Sequence, residues 1–129
     1  MIPTANDLVA DAHTRIRQIP ATQLAASNDV RRVLIDVREP GEFSKGHLPG
    51  AVNLPRGVLE FQIEAHPALA CEASPALADR QRPIVVYCLS GGRSALAADS
   101  LQRLGFQNVQ SLTGGITAWH EAGLAVVAE

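Results

Sequence analysis

Cysteine is scarce in this 129-residue chain, with Cys71 and Cys88 the only two. Two thiols without Cys-x-x-Cys spacing or a flanking histidine pair give no disulfide framework, no metal site and no sign of a cofactor. Aromatic residues are also few. Phe43, Phe61, Phe106, Tyr87 and Trp119 are the full set, so Ala, Leu, Val and Ile must build the core. Lysine is nearly absent: Lys45 stands alone among arginines. With a net charge of −2, nothing favours nucleic acid or an anionic membrane as a partner. No stretch approaches the roughly 18 apolar residues of a membrane span. Met1 to Asp7 also lacks the basic start and apolar run of a secretion signal, so a cytoplasmic location is expected.

The remaining composition, 47% hydrophobic and 19% charged, is that of an ordinary globular protein. Leu8, Ala12, Ile16 and Ile19 recur at helical spacing, with Asn6 or Thr4 as cap and Pro20 as stop. This predicts a helix, with residues 1–17 as an N-terminal extension ahead of a main domain at 18–129. A small helix is expected from Thr22 to Ser27. Val33–Val37, Ile84–Tyr87 and Val109–Leu112 are short, mostly β-branched runs bounded by breakers and predict strands; Ala51–Leu54 is a weaker fourth. Between them, Ser94–Leu104 places Ala97, Leu101 and Leu104 on one helical face before Gly105. Ile116–Ala122 offers Ile116 and Trp119 to the core. Gly57–Ala65 predicts a less regular helix with Val58, Phe61 and Ile63 or Ala65 inward. Strands alternating with helices imply an α/β domain with a mainly parallel sheet. His66–Arg82, with Pro67 and Pro75, reads as a surface excursion.

In such sheets the reactive site lies beyond the carboxyl ends of the strands. Cys88-Leu89-Ser90-Gly91-Gly92-Arg93-Ser94 occupies that position, between the most apolar strand and the best-formed helix. Unpaired N–H groups and the helix dipole favour negative charge there, and such surroundings favour the thiolate form of a cysteine. Gly91 and Gly92 are expected to turn the backbone tightly with its N–H groups inward. Arg93 adds a planar fork of donors suited to an oxyanion. A buried structural cysteine would need neither the tight turn nor the cation.

This loop resembles the active-site loop of the rhodanese family. Leu34-Ile35-Asp36-Val37-Arg38-Glu39 with Glu42-Phe43, then Gly46-His47-Leu48-Pro49-Gly50-Ala51-Val52-Asn53, resembles that family's N-terminal signature. Gly114-Gly115-Ile116-Thr117-Ala118-Trp119 resembles its C-terminal one. The resemblance spans about residues 18 to 127, is weak from Phe61 to Arg82, and leaves Met1–Arg17 outside. It implies a three-layer α/β/α domain and a sulfurtransferase in which Cys88 carries a sulfane sulfur. The donor would be a small molecule such as thiosulfate, the acceptor cyanide or a thiol, and a protein could serve as either. The loop residues Leu89 to Ser94 would hold the substrate. The resemblance equally admits a regulatory or sulfur-carrier module working through a protein partner. Cysteine-dependent phosphatases of related fold place five residues between Cys and Arg. Here there are four, a ring better suited to one sulfur atom than to a tetrahedral phosphate.

Other residues have plainer expected roles. Asp36 and Arg38 end a buried strand, and the resemblance makes them supports for the neighbouring loops. Glu42 and His47 flank Gly46 and are expected to cap and pack the Pro49-Gly50 turn. Arg56 either reaches the pocket mouth or lies solvated on the surface. Ser90 and Ser94 can offer hydroxyls to the site, and Ser94 can also cap its helix. Trp119 is expected in the core. His13, His66 and His120 have no partner pattern. Cys71 is either a resolving thiol or inert.

Overall fold

The computed structural model describes residues 2–66 and 79–128. Cys71 and most of the excursion around it lie outside the described residues. The chain runs α1 (Ala5–His13), β1 (Arg17–Ile19), α2 (Ala21–Ala26), β2 (Val33–Asp36), α3 (Pro40–Lys45) and β3 (Val52–Asn53). A 3₁₀ turn (Arg56–Val58) leads into α4 (Leu59–Ile63), followed by β4 (Ile84–Tyr87), α5 (Gly92–Arg103), β5 (Val109–Leu112) and α6 (Gly115–Glu121). The five strands form one parallel sheet in the order β1-β5-β4-β2-β3. Among the described residues no helix is long and apolar enough to cross a membrane.

Strand alternation sorts the side chains into two cores, one on each face of the sheet. Val33, Ile35, Ile84, Val86 and Val109 pack with Leu59 and Ile63 of α4 and with Ala97 and Leu101 of α5. Ile19, Val85, Tyr87 and Leu112 pack with Leu24 of α2 and with Ile116 and Trp119 of α6. The result is the three-layer α/β/α arrangement that the family resemblance implied, around the parallel sheet expected from the strand and helix alternation. Burial on both faces explains why β4 reads as a continuous apolar run. Connections running toward the β1 edge (β3 to β4, β4 to β5) carry helices on one face. Of the connections running the other way, β1 to β2 carries its helix, α2, on the opposite face, as a single crossover hand requires.

Three expectations are corrected. The N-terminal helix stops at His13, capped by Thr4 in a capping box with Asp7, and does not reach Ile19. Arg17–Ile19 is instead an edge strand paired with Gln110–Leu112. The spacing of Ile16 and Ile19 happens to suit a helix, and three residues are too few to show strand alternation. Leu8, expected inward, is exposed, while Ala12 is buried. The segment after Pro55 buries Ile63 as expected but turns Leu59 inward in place of Val58 and Phe61. Its 3₁₀ turn shifts the helical phase, so Leu59 and Ile63 are fully buried while Phe61 is 83% exposed. A helix for which the sequence reading gave no expectation, α3, has no buried residue and hence no hydrophobic period. Its signals were the Pro40 start and the Glu39–Glu42 capping box.

Candidate active site

β4 lies between β5 and β2, so the loop leaving its carboxyl end is flanked by the loops that leave those two strands. Cys88 continues the alternation of Ile84 and Val86, which turns its side chain toward α5. Its residue surface is only 1% exposed. The backbone then reverses at Gly91, whose φ of +117° suits glycine, and enters α5. This reversal aims the Gly91 N–H at Cys88 Sγ, 3.1 Å away, and the Ser94 N–H at the same atom, at 3.4 Å. The Ser94 hydroxyl oxygen lies 3.6 Å from Sγ. The burial would suit an inert core cysteine, but the amides facing the sulfur give it the surroundings of an anion.

The carbonyls on the other side of the loop are held by α6. Ile116 N–H donates to Cys88 O (2.9 Å) and Thr117 N–H to Leu89 O (3.1 Å). These are N–H groups of a helix's first turn, which have no partner within their own helix. Using them here turns the loop's carbonyls outward and keeps them off the sulfur. Gly115 makes this possible. With φ at +62°, an added Cβ would lie 2.5 Å from both Cys88 O and Leu89 O. Gly114-Gly115 was recognisable as a motif, but its steric role required the tertiary contact.

Behind the sulfur is a closed hydroxyl pair. Ser94 Oγ lies 2.9 Å from Ser111 Oγ and 3.3 Å from Gly91 O, which accepts from it. Ser111, buried on β5, was seen in the sequence only as a strand position. Ser90 is exposed at the loop tip, so of the two serines only Ser94 brings a hydroxyl to the sulfur. Leu89 is half-exposed beside it. The expectation for Gly92 is corrected. It is the first residue of α5 with no positive φ, and an added Cβ would make only an ordinary 3.7 Å contact with Val9. The tight turn belongs to Gly91 alone.

Arg93 does not stand free over the cradle. It makes a bidentate pair with Glu42 of α3, at 2.9 and 3.1 Å. This contact, chiefly, holds the Glu42 carboxyl down to about 2 and pushes the Arg93 guanidinium up. Glu42 also accepts from the Glu39 N–H (3.0 Å) in the capping box. It therefore caps the start of α3, where the expectation had it at the Pro49-Gly50 turn, and also clamps the loop's arginine, which chain position did not reveal.

Asp36 and Arg38 form a buried pair, with Arg38 Nη2 2.7 Å from Asp36 Oδ2 and donating also to Gly46 O. Asn53 donates to the carbonyls of Asp36 and Arg38, and the Arg38 guanidinium lies over the Tyr87 ring. These contacts staple the end of β2 to β3, to the end of α3 at Gly46 and to Tyr87, the residue before Cys88. His47 is buried, its ring stacked on Phe43 and its Nδ1 2.9 Å from Phe43 O. Its main chain bridges to Val127. Arg56 is held by Glu60 and by Ser100 Oγ in the later half of α5, away from the loop. Trp119 is in the core, its indole N–H donating to Ala125 O. Beside the loop runs a cavity of about 390 Å³ whose lining includes Leu89, Ile116, Val126, Arg38 and Glu42.

Comparison with known proteins agrees with this architecture. The rhodanese-like domain family model matches residues 20–122. A sulfurtransferase from Allochromatium vinosum is 35% identical over 106 residues, 82% of this chain and 86% of that protein. A thiosulfate sulfurtransferase from Shewanella oneidensis is 36% identical over 107 residues, 82% of this chain and 94% of that protein. Among solved structures, one from Rhodopseudomonas palustris superposes with a TM-score of 0.80 at 31% identity, over 98% of this chain and 96% of that one. It is described as a protein of unknown function and possible tyrosine phosphatase.

Proposed function

Because this chain belongs to the rhodanese-like domain family, whose curated relatives here are sulfurtransferases, we propose that Cys88 is the nucleophile that carries the transferred sulfur. The Cys88 thiolate bonds to the outer sulfur of a sulfane donor. With thiosulfate, the donor's S–S bond breaks, sulfite leaves with the electron pair, and Cys88–S–S⁻ remains. A thiophilic acceptor, cyanide or a thiolate, then takes the terminal sulfur and returns Cys88 to the thiolate. Charge balances in both half-reactions, and no outside oxidant or reductant enters. This is covalent catalysis in two steps.

The observation that carries this reading is the convergence of the Gly91 and Ser94 N–H groups on Cys88 Sγ, with the loop's carbonyls diverted to α6. Oriented amides in a nearly dry site stabilise an anionic sulfur without reorganising. Leu89 to Arg93 would line the path of the terminal sulfur, and Asp36 with Arg38 would hold the loops in place. Phosphate-ester chemistry at the same thiol is the competing use of such a loop, and four residues between Cys88 and Arg93 disfavour it. Intact-mass measurement after incubation with thiosulfate or an organic persulfide should show one added sulfur, lost in Cys88→Ser. No gain with any sulfane donor, or turnover of a chromogenic phosphate ester in its place, would overturn the proposal.

A further inference from the structure

The two guanidinium groups that border the Cys88 loop are both already matched by carboxylates. Arg38 is paired with Asp36 in the protein interior, and Arg93 is held by both oxygens of Glu42. The remaining charged groups on the cavity wall, Lys45 and Glu121, are one of each sign. The wall otherwise presents mainly carbon, from Leu89, Ile116 and Val126, with Thr117 and the His120 ring as its uncharged polar members. Beyond the main-chain amides of the loop, a dianion reaching this site meets no unmatched cationic side chain, while an apolar group in the cavity beside Leu89 would find a surface to cover.

We infer that Glu42 is a specificity-determining residue that neutralises Arg93 and so turns the site toward singly charged sulfane donors on an apolar organic carrier, and away from thiosulfate dianion. The inference rests on the sulfur-transfer reading above and specifies its donor. The chemistry is unchanged in kind. With an organic thiosulfonate, R–SO₂–S⁻, the Cys88 thiolate bonds to the outer sulfur, the S–S bond breaks, and the sulfinate R–SO₂⁻ departs with the electron pair. With an ionised persulfide R–S–S⁻, the S–S bond breaks, R–S⁻ departs with the electron pair, and the transferred sulfur keeps its charge. In either case the carrier R lies in the cavity beside Leu89. Glu42 acts through Arg93 and touches no reacting atom.

The test compares kcat/KM for sulfur loading from three probes: thiosulfate, methanethiosulfonate and benzenethiosulfonate. The native protein should prefer benzenethiosulfonate to thiosulfate by at least about tenfold, with methanethiosulfonate between them. Glu42→Gln keeps an acceptor for the Glu39 N–H but releases Arg93. It should raise kcat/KM for thiosulfate on the order of tenfold, the effect of one unmatched charge nearby, and that for the monoanions only about threefold, since half the charge gains half the energy. Glu42→Gln/Arg93→Gln should lose that gain, because the two residues act as a pair. A measurement on the native protein guards against a variant that fails to fold. Its kcat/KM for thiosulfate should change little between low and high salt, whereas an uncompensated arginine would make it fall steeply. Native preference for thiosulfate, a steep salt dependence, or an unchanged ratio of benzenethiosulfonate to thiosulfate kcat/KM in Glu42→Gln would each overturn the inference. Loading by none of the three donors would instead sink the sulfur-transfer reading itself.

Discussion

Replacing Gly115 with alanine tests whether the cradle depends on α6 approaching the loop. The new Cβ would lie 2.5 Å from the Cys88 and Leu89 carbonyl oxygens and 2.6 Å from the Leu89 carbonyl carbon. All three are main-chain atoms, so no side chain can swing aside. Relief requires α6 to withdraw, which breaks the Ile116 to Cys88 and Thr117 to Leu89 hydrogen bonds. Two such bonds contribute about 1 kcal/mol each. A left-handed conformation adds about 1 kcal/mol for a residue with a Cβ. A loss of roughly 2–4 kcal/mol follows, equivalent to about 8–15 °C in Tm for a domain of this size. Gly123 supplies the control. Its φ is +79°, close to the +62° of Gly115, but an added Cβ meets nothing within 4 Å. Gly123→Ala should therefore lose only about 1 kcal/mol and keep its sulfur-loading rate. Thermal melts and single-turnover loading, followed by intact mass, read both effects. Gly115→Ala should also slow loading at least about tenfold, because freed carbonyls can turn toward the sulfur; one hydrogen bond to a charged group is worth about 1.5 kcal/mol or more. Equal behaviour of the two variants would refute the close-approach argument.

The same geometry makes further predictions. Gly91→Ala should impair loading through its φ of +117°, whereas Gly92→Ala should fold and load normally, since its Cβ has room; the reverse order in a loading assay would contradict the loop geometry. Ser94→Ala leaves the Ser111 hydroxyl buried without a partner and should lower stability by about 1–3 kcal/mol. Ser94→Ala/Ser111→Ala should recover part of that in denaturant titrations, and a purely additive double variant would count against the pair. The Glu42 carboxyl, held down from its ordinary 4.5 to about 2 by Arg93, contributes stability that is complete above pH 4.5. That contribution is lost as pH falls toward 2. The Tm difference between the native protein and Glu42→Gln should therefore be constant above about pH 5 and shrink below it. Both partners are more than a third exposed, so the difference should be small. A difference that grows on acidification would refute the sign.

By itself the sequence determined the α/β class, the three principal strands, and the position of Cys88 at a strand-to-helix junction. Those features depend on local pattern: β-branched runs buried on both faces, an amphipathic α5, and a glycine-rich turn between them. Tertiary structure decided the rest. Whether Ile19 ends a helix or joins a strand depends on hydrogen bonds to β5, across more than ninety residues. Which of Val58, Leu59, Phe61 and Ile63 turn inward depends on a 3₁₀ turn whose phase periodicity cannot register. Glu42 as the partner of Arg93, Ser111 behind Ser94, and Gly115 against the loop carbonyls are likewise contacts between elements distant in the chain. Local propensity and spacing carry information over a few residues, whereas a catalytic cradle is assembled from the ends of several strands. Only the sheet order, which sets β4 between β5 and β2, brings those ends together.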